Sequence, residues 1–351
     1  MNRCNYCKEE KVISRSLPFC RECIINHFDE IEEKIREIHN KTREEFGLPV
    51  YKREAEGIEC YFCGNRCKIE EGEKGFCGTK ENRGGKIFHL YGTPEKGKLS
   101  WYFDKLPTNC VADWVCPGSK EGRGRKNLAV FYSSCNFNCL FCQNWHFRIE
   151  KEANYLTSEE LADVVDEKTF CVCFFGGDPT TQVLHALKTS EEILKKNPHI
   201  RICWETNGGV NRKYLEEMAE ISFNSGGCIK FDLKFFNENL NIAVCGVSNK
   251  TTLENFSFLA LKYLRRKRDY PFLIASSLLV PGYIDENEIS KIAEFISKLN
   301  PDIPYRLLAF HPSFYFSDLP TTSCELATKS FEIAKEKGLK NISIGNIHLL
   351  S

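Results

Sequence analysis

The stretch Ser133–Asn144, SSCNFNCLFCQN, places three cysteines on one short segment. Cys135, Cys139 and Cys142 have the spacing C-x3-C-x2-C, and the apolar, β-favouring run Leu128–Tyr132 directly precedes them. We therefore predict that the cysteines lie on a loop that follows a buried strand. Three thiolates on one tight loop can bind three corners of a cubane iron–sulfur cluster, whereas four would saturate it. An iron atom without a protein ligand is open to a small molecule, as a catalytic metal site requires.

Chance and zinc binding are the alternatives for the same three cysteines. With 19 cysteines in 351 residues, the spacing can arise by accident. His146, shortly after the motif, would also complete a tetrahedral zinc site with the three thiolates. Motifs farther along the chain favour the open iron–sulfur site over both alternatives.

The composition restricts the class of protein. The chain has 351 residues, 42% of them hydrophobic, enough for one large domain with a smaller appendage. Lys and Arg together number 48, as do Asp and Glu, so no basic field favours nucleic acid or an anionic membrane. No apolar segment reaches the roughly 18–20 residues of a membrane span, and no signal peptide opens the sequence. We therefore expect a cytoplasmic protein without a membrane partner, whose cysteines bind metal.

Two C-x2-C pairs lie within residues 1–25, the first predicted domain. Cys4 and Cys7 are separated by twelve residues from Cys20 and Cys23, a spacing typical of zinc ribbons and fingers. Because so short a segment cannot bury enough apolar surface to fold unaided, we predict a structural zinc ion held by the four thiolates. An auxiliary iron–sulfur cluster and unliganded thiols are the alternatives.

The charged segment that follows is predicted to be a helical linker over residues 26–57. Apolar residues recur in it at alternating three- and four-residue steps, namely Phe28, Ile31, Ile35 and Ile38. This spacing indicates a narrow apolar stripe on one helix. We expect the stripe to dock on the main body, with self-association as the alternative.

Residues 58–122 form a cysteine-rich leader, the third predicted domain. Glycines lie between and after four of its cysteines and relieve backbone strain where a loop wraps a metal; these cysteines are Cys60, Cys63, Cys67 and Cys77. Four thiolates make a closed site, so we predict a second structural metal there. Cys110 and Cys116 are either buried small hydrophobic residues or ligands.

The fourth predicted domain, residues 123–351, alternates strand and helix patterns. The predicted strands are Leu128–Tyr132, Cys171–Phe175, Ile200–Trp204, Cys228–Leu233, Phe272–Val280 and Tyr305–Phe310. The predicted helices are Ser158–Glu167, Val183–Lys196, Arg212–Ala219, Leu253–Arg268, Glu286–Leu299 and Cys324–Lys337. This alternation predicts a parallel α/β architecture with right-handed crossovers. Continuous apolar strands fit either a barrel or a doubly wound sheet, and periodicity does not separate the two.

Glycine-rich and polar sequences follow several of the predicted strands, where functional groups gather in parallel α/β folds. Two adjacent glycines let a ligand reach the backbone at a strand edge, whereas single acidic residues after strands are ordinarily caps or surface groups. A histidine after the sixth strand is either a core residue or a ligand contact. The candidate site residues are Gly176, Gly177, Asp178, Glu205, Asn207, Asp232, Lys234 and His311.

The cysteine triple resembles the signature of the radical S-adenosylmethionine (radical SAM) enzymes, in which SAM chelates the open iron of a [4Fe-4S] cluster. GGD at residues 176–178 is similar to the GGE-type element that receives the SAM amino group in that superfamily. ETNG at 205–208 and DLK at 232–234 resemble the DTNG and DLK elements of the glycyl-radical-enzyme activating family. The resemblance covers roughly residues 58–348 and implies a partial (β/α)6 TIM-like barrel whose strands end at the cofactor.

The resemblance also implies roles for single residues. Cys135, Cys139 and Cys142 would bind the cluster, and the contacts to SAM would come from Gly176, Gly177, Asp178, Asn207, Asp232 and Lys234. Glu205 is the candidate ligand of a monovalent cation, and His311 is expected to contact the ribose or carboxylate of SAM. The leader is similar to the one found in groups related to the pyruvate formate-lyase activating enzyme, and LLAFHP through IGN resembles the AmmeMemoRadiSam group.

The chemistry implied by the resemblance is reductive cleavage of SAM to a 5′-deoxyadenosyl radical, with an electron from a low-potential donor of flavodoxin or ferredoxin type. The radical would take hydrogen from a substrate that the sequence does not identify, as in a glycyl-radical-enzyme activase. Radical modification of another protein, a nucleic acid or a metabolite is the first alternative. A non-enzymatic, multi-metal module for electron transfer or nucleic-acid binding is the second.

Overall fold

This computed structural model describes residues 1–52, 56–108, 110–149, 154–263 and 266–351. The strands are β1 Asn2–Arg3, β2 Glu10–Lys11, β3 Ile58–Glu59, β4 Lys68–Ile69, β5 Lys80–Arg83, β6 Lys86–His89, β7 Gly97–Lys105, β8 Lys126–Tyr132, β9 Asn154–Leu156, β10 Thr169–Gly176, β11 Arg201–Thr206, β12 Ile229–Asp232, β13 Leu273–Leu279, β14 Tyr305–Ala309 and β15 Ile342–Gly345. The α-helices are α1 Arg21–Asn26, α2 Phe28–Glu44, α3 Ser158–Asp163, α4 Val183–Lys196, α5 Arg212–Ser225, α6 Glu238–Cys245, α7 Lys250–Tyr263, α8 Glu286–Leu299 and α9 Cys324–Glu336.

The central sheet settles the choice between a barrel and a doubly wound sheet. Its strands lie in the order β15-β14-β13-β12-β11-β10-β8-β7-β9. The seven consecutive strands β8 and β10 to β15 pair in parallel. A doubly wound sheet reverses its strand order at a switch point, whereas here the order increases without reversal from β8 to β15. Successive right-handed crossovers then lie on one side of the sheet, as in a barrel. The predicted α/β fold with a partial barrel is confirmed.

The six predicted strands and six predicted helices are all present, and the largest end shift is in α5, which extends to Ser225 rather than to Ala219. The prediction missed β15, which makes the parallel set one strand longer than expected, and the short helix α6. Asn237 caps α6 by accepting a hydrogen bond from the Leu240 N–H at 3.0 Å, and Gly246 ends it at φ +78°. The predicted helix ending at Arg268 includes residues 264–265, which lie outside the described residues.

The two faces of the sheet have different environments because side chains alternate along each strand. One face packs under the helices, where Phe174 stacks on Trp204 with ring centroids 4.8 Å apart. Both side chains are fully buried, which contributes about 1.5–3 kcal/mol for each large apolar group. The other face, which includes Cys173 and Glu205, lines the interior of the partial barrel.

The segments that precede the barrel pack against it. The Tyr283 hydroxyl, just after β13, accepts a hydrogen bond from the Ser14 N–H at 3.1 Å and donates one to the Leu17 carbonyl at 2.7 Å. Along α2 the apolar stripe is buried, with Ile35 fully inaccessible, so the predicted docking of this helix is confirmed. The predicted boundary after residue 122 stays a prediction, and the sheet continues across it because β7 pairs with β8.

Candidate active site

A cavity of about 190 Å³ opens at the carboxyl ends of the parallel strands. The structure brings nearly all the predicted cofactor-site residues to its wall, where they come from four different loops: Cys135, Cys139, Cys142, Gly176, Gly177, Asp178, Glu205, Asn207, Asp232 and Lys234. His311 does not line it; its side chain is exposed. His146 is likewise exposed, stacked on Trp145 at 4.1 Å.

The two glycines after β10 hold the cysteine-bearing loop, residues 133–144, against the neighbouring strand. The Gly177 N–H donates to the Tyr132 carbonyl at 2.9 Å, and the Asp178 N–H donates to the Ser134 carbonyl at 2.8 Å. A Cβ atom on Gly177 would lie 2.0 Å from the Ser134 oxygen, and one on Gly176 would lie 2.5 Å from the Tyr132 nitrogen. These glycines are therefore required by the close approach of two backbones.

Asp178 is a buried carboxylate that organises the loop after β11. It accepts hydrogen bonds from the Asn207 N–H at 2.7 Å, the Thr180 N–H at 2.9 Å and the Thr206 hydroxyl at 3.0 Å. Burial raises the pKa of Asp178, and these hydrogen bonds oppose that rise because they favour the charged form. The Asp178 carboxylate thus makes its hydrogen bonds within the protein, and these bonds position the loop after β11.

The Asn207 side chain then connects this loop to the cysteine-bearing one. Its Nδ2 donates to Asn136 Oδ1 at 2.7 Å and lies 3.9 Å from Cys135 Sγ. Its Oδ1 accepts from the Gly209 N–H at 2.8 Å. The three strand ends after β8, β10 and β11 therefore form one hydrogen-bonded unit.

Asp232 and Lys234 place opposite charges on the cavity wall. Lys234 Nζ lies 2.8 Å from Asp232 Oδ2, and the Ser276 hydroxyl donates to Asp232 Oδ1 at 2.9 Å. Burial by itself lowers the pKa of Lys234, but the Asp232 carboxylate is among the charges that outweigh burial and raise that pKa well above its usual range. The cavity thus presents a fixed ammonium beside a fixed carboxylate.

Glu205 faces a different partner. Its Oε2 lies 3.1 Å from the Nζ of Lys230, whose side chain is only 1% exposed. Glu205 and Phe175 line both the active-site cavity and a second cavity deeper in the barrel.

The sequence analysis missed a group that braces the cysteine-bearing loop from outside. Asn138 donates to His39 Nδ1 on α2 at 2.9 Å and to the Thr42 hydroxyl at 3.0 Å, and it accepts from Arg148 at 2.7 Å. Burial lowers the pKa of His39 to about 4, so its imidazole is neutral and its Nε2 donates to the Ala243 carbonyl at 2.9 Å. No local pattern joins residues 99 positions apart; the polar Asn138 between two cysteines was the only available signal.

Cys245, at the end of α6, was also missed. It is fully buried and its carbonyl accepts a hydrogen bond from the Asn138 N–H at 2.8 Å, but it does not line the active-site cavity. It therefore lies behind the cysteine-bearing loop.

The two other predicted cysteine sets differ in how close their sulfurs lie. The sulfurs of Cys4, Cys7, Cys20 and Cys23 all lie within 4.8 Å of one another. The members of the second set line one small cavity of about 10 Å³, but no three of their sulfurs lie within 4.8 Å of one another: Cys60, Cys63, Cys67 and Cys77. It adjoins the cysteine-bearing loop, because the Ser134 hydroxyl donates to the Cys77 carbonyl at 2.7 Å.

Comparison with known proteins agrees with this geometry. The model of the radical SAM superfamily matches residues 129–296, which include the cysteine-bearing loop and the strand ends through β13. A Methanocaldococcus jannaschii protein, provisionally named a glycyl-radical enzyme activating enzyme, is 30% identical over 189 residues, 52% of this chain and 67% of its own. The chain belongs to the radical SAM superfamily.

Two further relatives match longer stretches of the chain. An uncharacterized protein of the same organism is 26% identical over 306 residues, 83% of this chain and 81% of its own. The pyruvate formate-lyase 1-activating enzyme of Escherichia coli is 27% identical over 205 residues, 55% of this chain and 77% of its own. Within the described residues, none of the helices has the length and apolarity that crossing a membrane requires.

Proposed function

We propose that this protein is a radical SAM enzyme in which Cys135, Cys139 and Cys142 hold a [4Fe-4S] cluster and SAM binds in the same cavity. The observation that carries the proposal is the donor set: three sulfurs line the cavity, and no fourth cysteine does so within the described residues. Three thiolates leave one iron of a cubane open. The paired Asp232 and Lys234 complement the amino and carboxylate groups of SAM. The residues present therefore fit both cofactors.

When held by Cys135, Cys139 and Cys142, the cluster would supply the electron for reductive cleavage of SAM, and the bound cofactors would thereby supply radical chemistry for removal of a hydrogen atom from the substrate. The residues of the chain position these groups and exclude water. Gly177 holds the cysteine-bearing loop on β10, and Asp178 fixes the loop that carries Asn207. Phe137 and Phe141 supply apolar walls to the cavity. We also propose that His311 contacts SAM and that Glu205 binds a monovalent cation.

The test is an assay for 5′-deoxyadenosine after oxygen-free reconstitution with iron and sulfide and reduction by dithionite. We expect cleavage by the wild type and none by Cys139→Ala. Cys324→Ala, which removes an exposed cysteine at the start of α9, is the matched control and should cleave SAM normally. A fully reconstituted wild type without cleavage, or zinc at Cys139, would overturn the proposal.

We further propose a protein substrate, specifically a glycyl radical enzyme. The names of two relatives as activating enzymes support this, and a low-potential flavodoxin or ferredoxin would supply the electron. Incubation with a candidate glycyl radical enzyme should give a glycyl radical signal in electron paramagnetic resonance. Cleavage of SAM without that signal for any candidate would point to modification of another protein, a nucleic acid or a metabolite.

We also propose that the set of Cys4, Cys7, Cys20 and Cys23 holds zinc and that the Cys60 set holds a second structural metal. The mutual distances of the first set match a single tetrahedral ion. Metal analysis of the protein with and without Cys4→Ala checks this, since one zinc per chain should be lost while SAM cleavage persists.

A further inference from the structure

The interior of the barrel contains a second concentration of thiols, which we name the lumen thiol cluster. Its members line the cavity of about 150 Å³ that lies beneath the active-site cavity: Cys110, Cys116, Cys171, Cys173, Cys203 and Cys228. Three of them lie on the adjacent strands β10 and β11, Cys228 directly precedes β12, and two come from the end of the leader. None belongs to the three cysteine sets described above.

The strand register explains why the thiols converge. Cys171 and Cys173 are two residues apart on β10, so both face the interior. Cys203 on β11 is the direct neighbour of Cys173, and its sulfur lies 3.9 Å from that of Cys228. The segment that carries Cys110 and Cys116 borders the same space.

A buried ammonium contacts two of these sulfurs and favours their charged form. Lys230 is 1% exposed, and its Nζ lies 3.2 Å from Cys110 Sγ and 3.1 Å from Cys173 Sγ. A buried ammonium is costly unless it is compensated. Glu205 is one compensating charge, at 3.1 Å, and thiolates would supply more.

Two of the sulfurs accept a hydrogen bond from the backbone N–H two residues later, as Cys135 does in the cysteine-bearing loop. The Ala112 N–H donates to Cys110 Sγ at 3.5 Å, and the Gly118 N–H donates to Cys116 Sγ at 3.3 Å. The Phe137 N–H makes the same contact, two residues on, to Cys135 Sγ at 3.3 Å. Hydrogen bonds to sulfur favour its charged, metal-binding form.

The spacing favours a polynuclear cluster over a single ion. Cysteines that serve only as apolar filling would close-pack, whereas these surround a space roughly ten times the volume that one water needs. Within the described residues, three or more ligand atoms within 4.8 Å of one another occur only in the Cys4 set. The lumen thiols are therefore too far apart to surround one zinc ion, yet they enclose a common space.

We propose that the lumen thiol cluster binds an iron–sulfur cluster of its own through four of its six cysteines. The cavity of the lumen thiol cluster shares two wall residues with the active-site cavity, since Phe175 and Glu205 line both. This inference does not rest on SAM cleavage, because it concerns thiols outside the active-site loop.

The experiment measures iron, sulfide and zinc in full-length protein reconstituted without oxygen. A lumen quadruple variant, Cys110→Ala, Cys173→Ala, Cys203→Ala and Cys228→Ala, leaves only two lumen cysteines, too few to hold a cubane cluster, and should lose about four iron atoms per chain relative to the wild type. Cys324→Ala is the matched control and should lose none. An unchanged iron content in a folded quadruple variant overturns the proposal, as does loss of zinc alone.

A second arm guards against misfolding of the lumen variant. A loop triple variant, Cys135→Ala, Cys139→Ala and Cys142→Ala, leaves the lumen intact and should retain an iron–sulfur signal in electron paramagnetic resonance after reduction. That signal should disappear when the four substitutions of the lumen quadruple variant are added. If it persists, its iron lies elsewhere and the lumen assignment is wrong. SAM cleavage by the wild type is scored separately, so failure of the proposed function and failure of this inference are distinguishable.

Discussion

Acid should destabilise this protein through His39, the imidazole that braces the cysteine-bearing loop. His39 donates to the Ala243 carbonyl at 2.9 Å and accepts from Asn138 at 2.9 Å, and the second contact requires its neutral form. Burial lowers its pKa to about 4, with a further lowering from the nearby Arg43 and Arg148. The replacement that tests this is His39→Gln, whose amide keeps a donor and an acceptor but does not titrate.

The expected magnitude follows from the two pKa values. The pKa of an unfolded histidine is about 6.5, so between about pH 6.5 and pH 4 the unfolded chain binds more protons than the folded one. A folded-state pKa that is depressed gives stability that is present above the unfolded value and is lost as the pH falls. At about pH 5 the loss in unfolding free energy is about 2 kcal/mol, since the proton-binding ratio is about thirty-fold. The full burial of His39 means that solvent screening does not reduce this figure.

Urea unfolding, followed by tryptophan fluorescence at about pH 7.5 and about pH 5, measures the effect. Acidification should cost the wild type about 2 kcal/mol more than it costs His39→Gln, because every other titrating group is common to both. His199→Gln, at an exposed loop position, is the control and should keep the acid sensitivity of the wild type. Equal acid sensitivity in the wild type and His39→Gln would refute the reasoning.

Three further outcomes follow from the geometry. Gly177→Ala puts a Cβ atom 2.0 Å from the Ser134 oxygen, so we expect a loss of about 1–3 kcal/mol in unfolding free energy and reduced iron binding, checked by urea unfolding and iron analysis. Asp232→Asn breaks the 2.8 Å ion pair with Lys234 and should weaken SAM binding about ten-fold, measured by calorimetry on reconstituted protein; unchanged affinity would place SAM elsewhere. If the Cys4 set holds zinc as proposed, chelation should raise hydrogen exchange in residues 1–25 and leave β10 protected, whereas an equal rise in both would show that they unfold as one unit.

Much of the architecture could be predicted from local patterns. The apolar runs that became β8 and β10 to β14 and most of the amphipathic helices between them are short-range signals, so their existence and order were readable. β9, β15 and α6 were missed because the two strands are short edge strands and the helix has only eight residues, so each offers few periods of pattern. The residues that line the candidate active-site cavity were recognised as motifs, but the reason for Gly177 was not, because the Ser134 oxygen that excludes a Cβ belongs to the loop after another strand.

The sequence by itself determined which thiols are candidates for binding a metal or a cluster. The C-x3-C-x2-C and C-x2-C spacings are local, and metal geometry constrains them directly. Only the tertiary structure decided which distant residues join them. The unreversed strand order selected the barrel, the register placed Cys173 beside Cys203, and α2 set His39 against Asn138. These pairings depend on how elements far apart in the chain pack, and no spacing along one segment encodes such a contact.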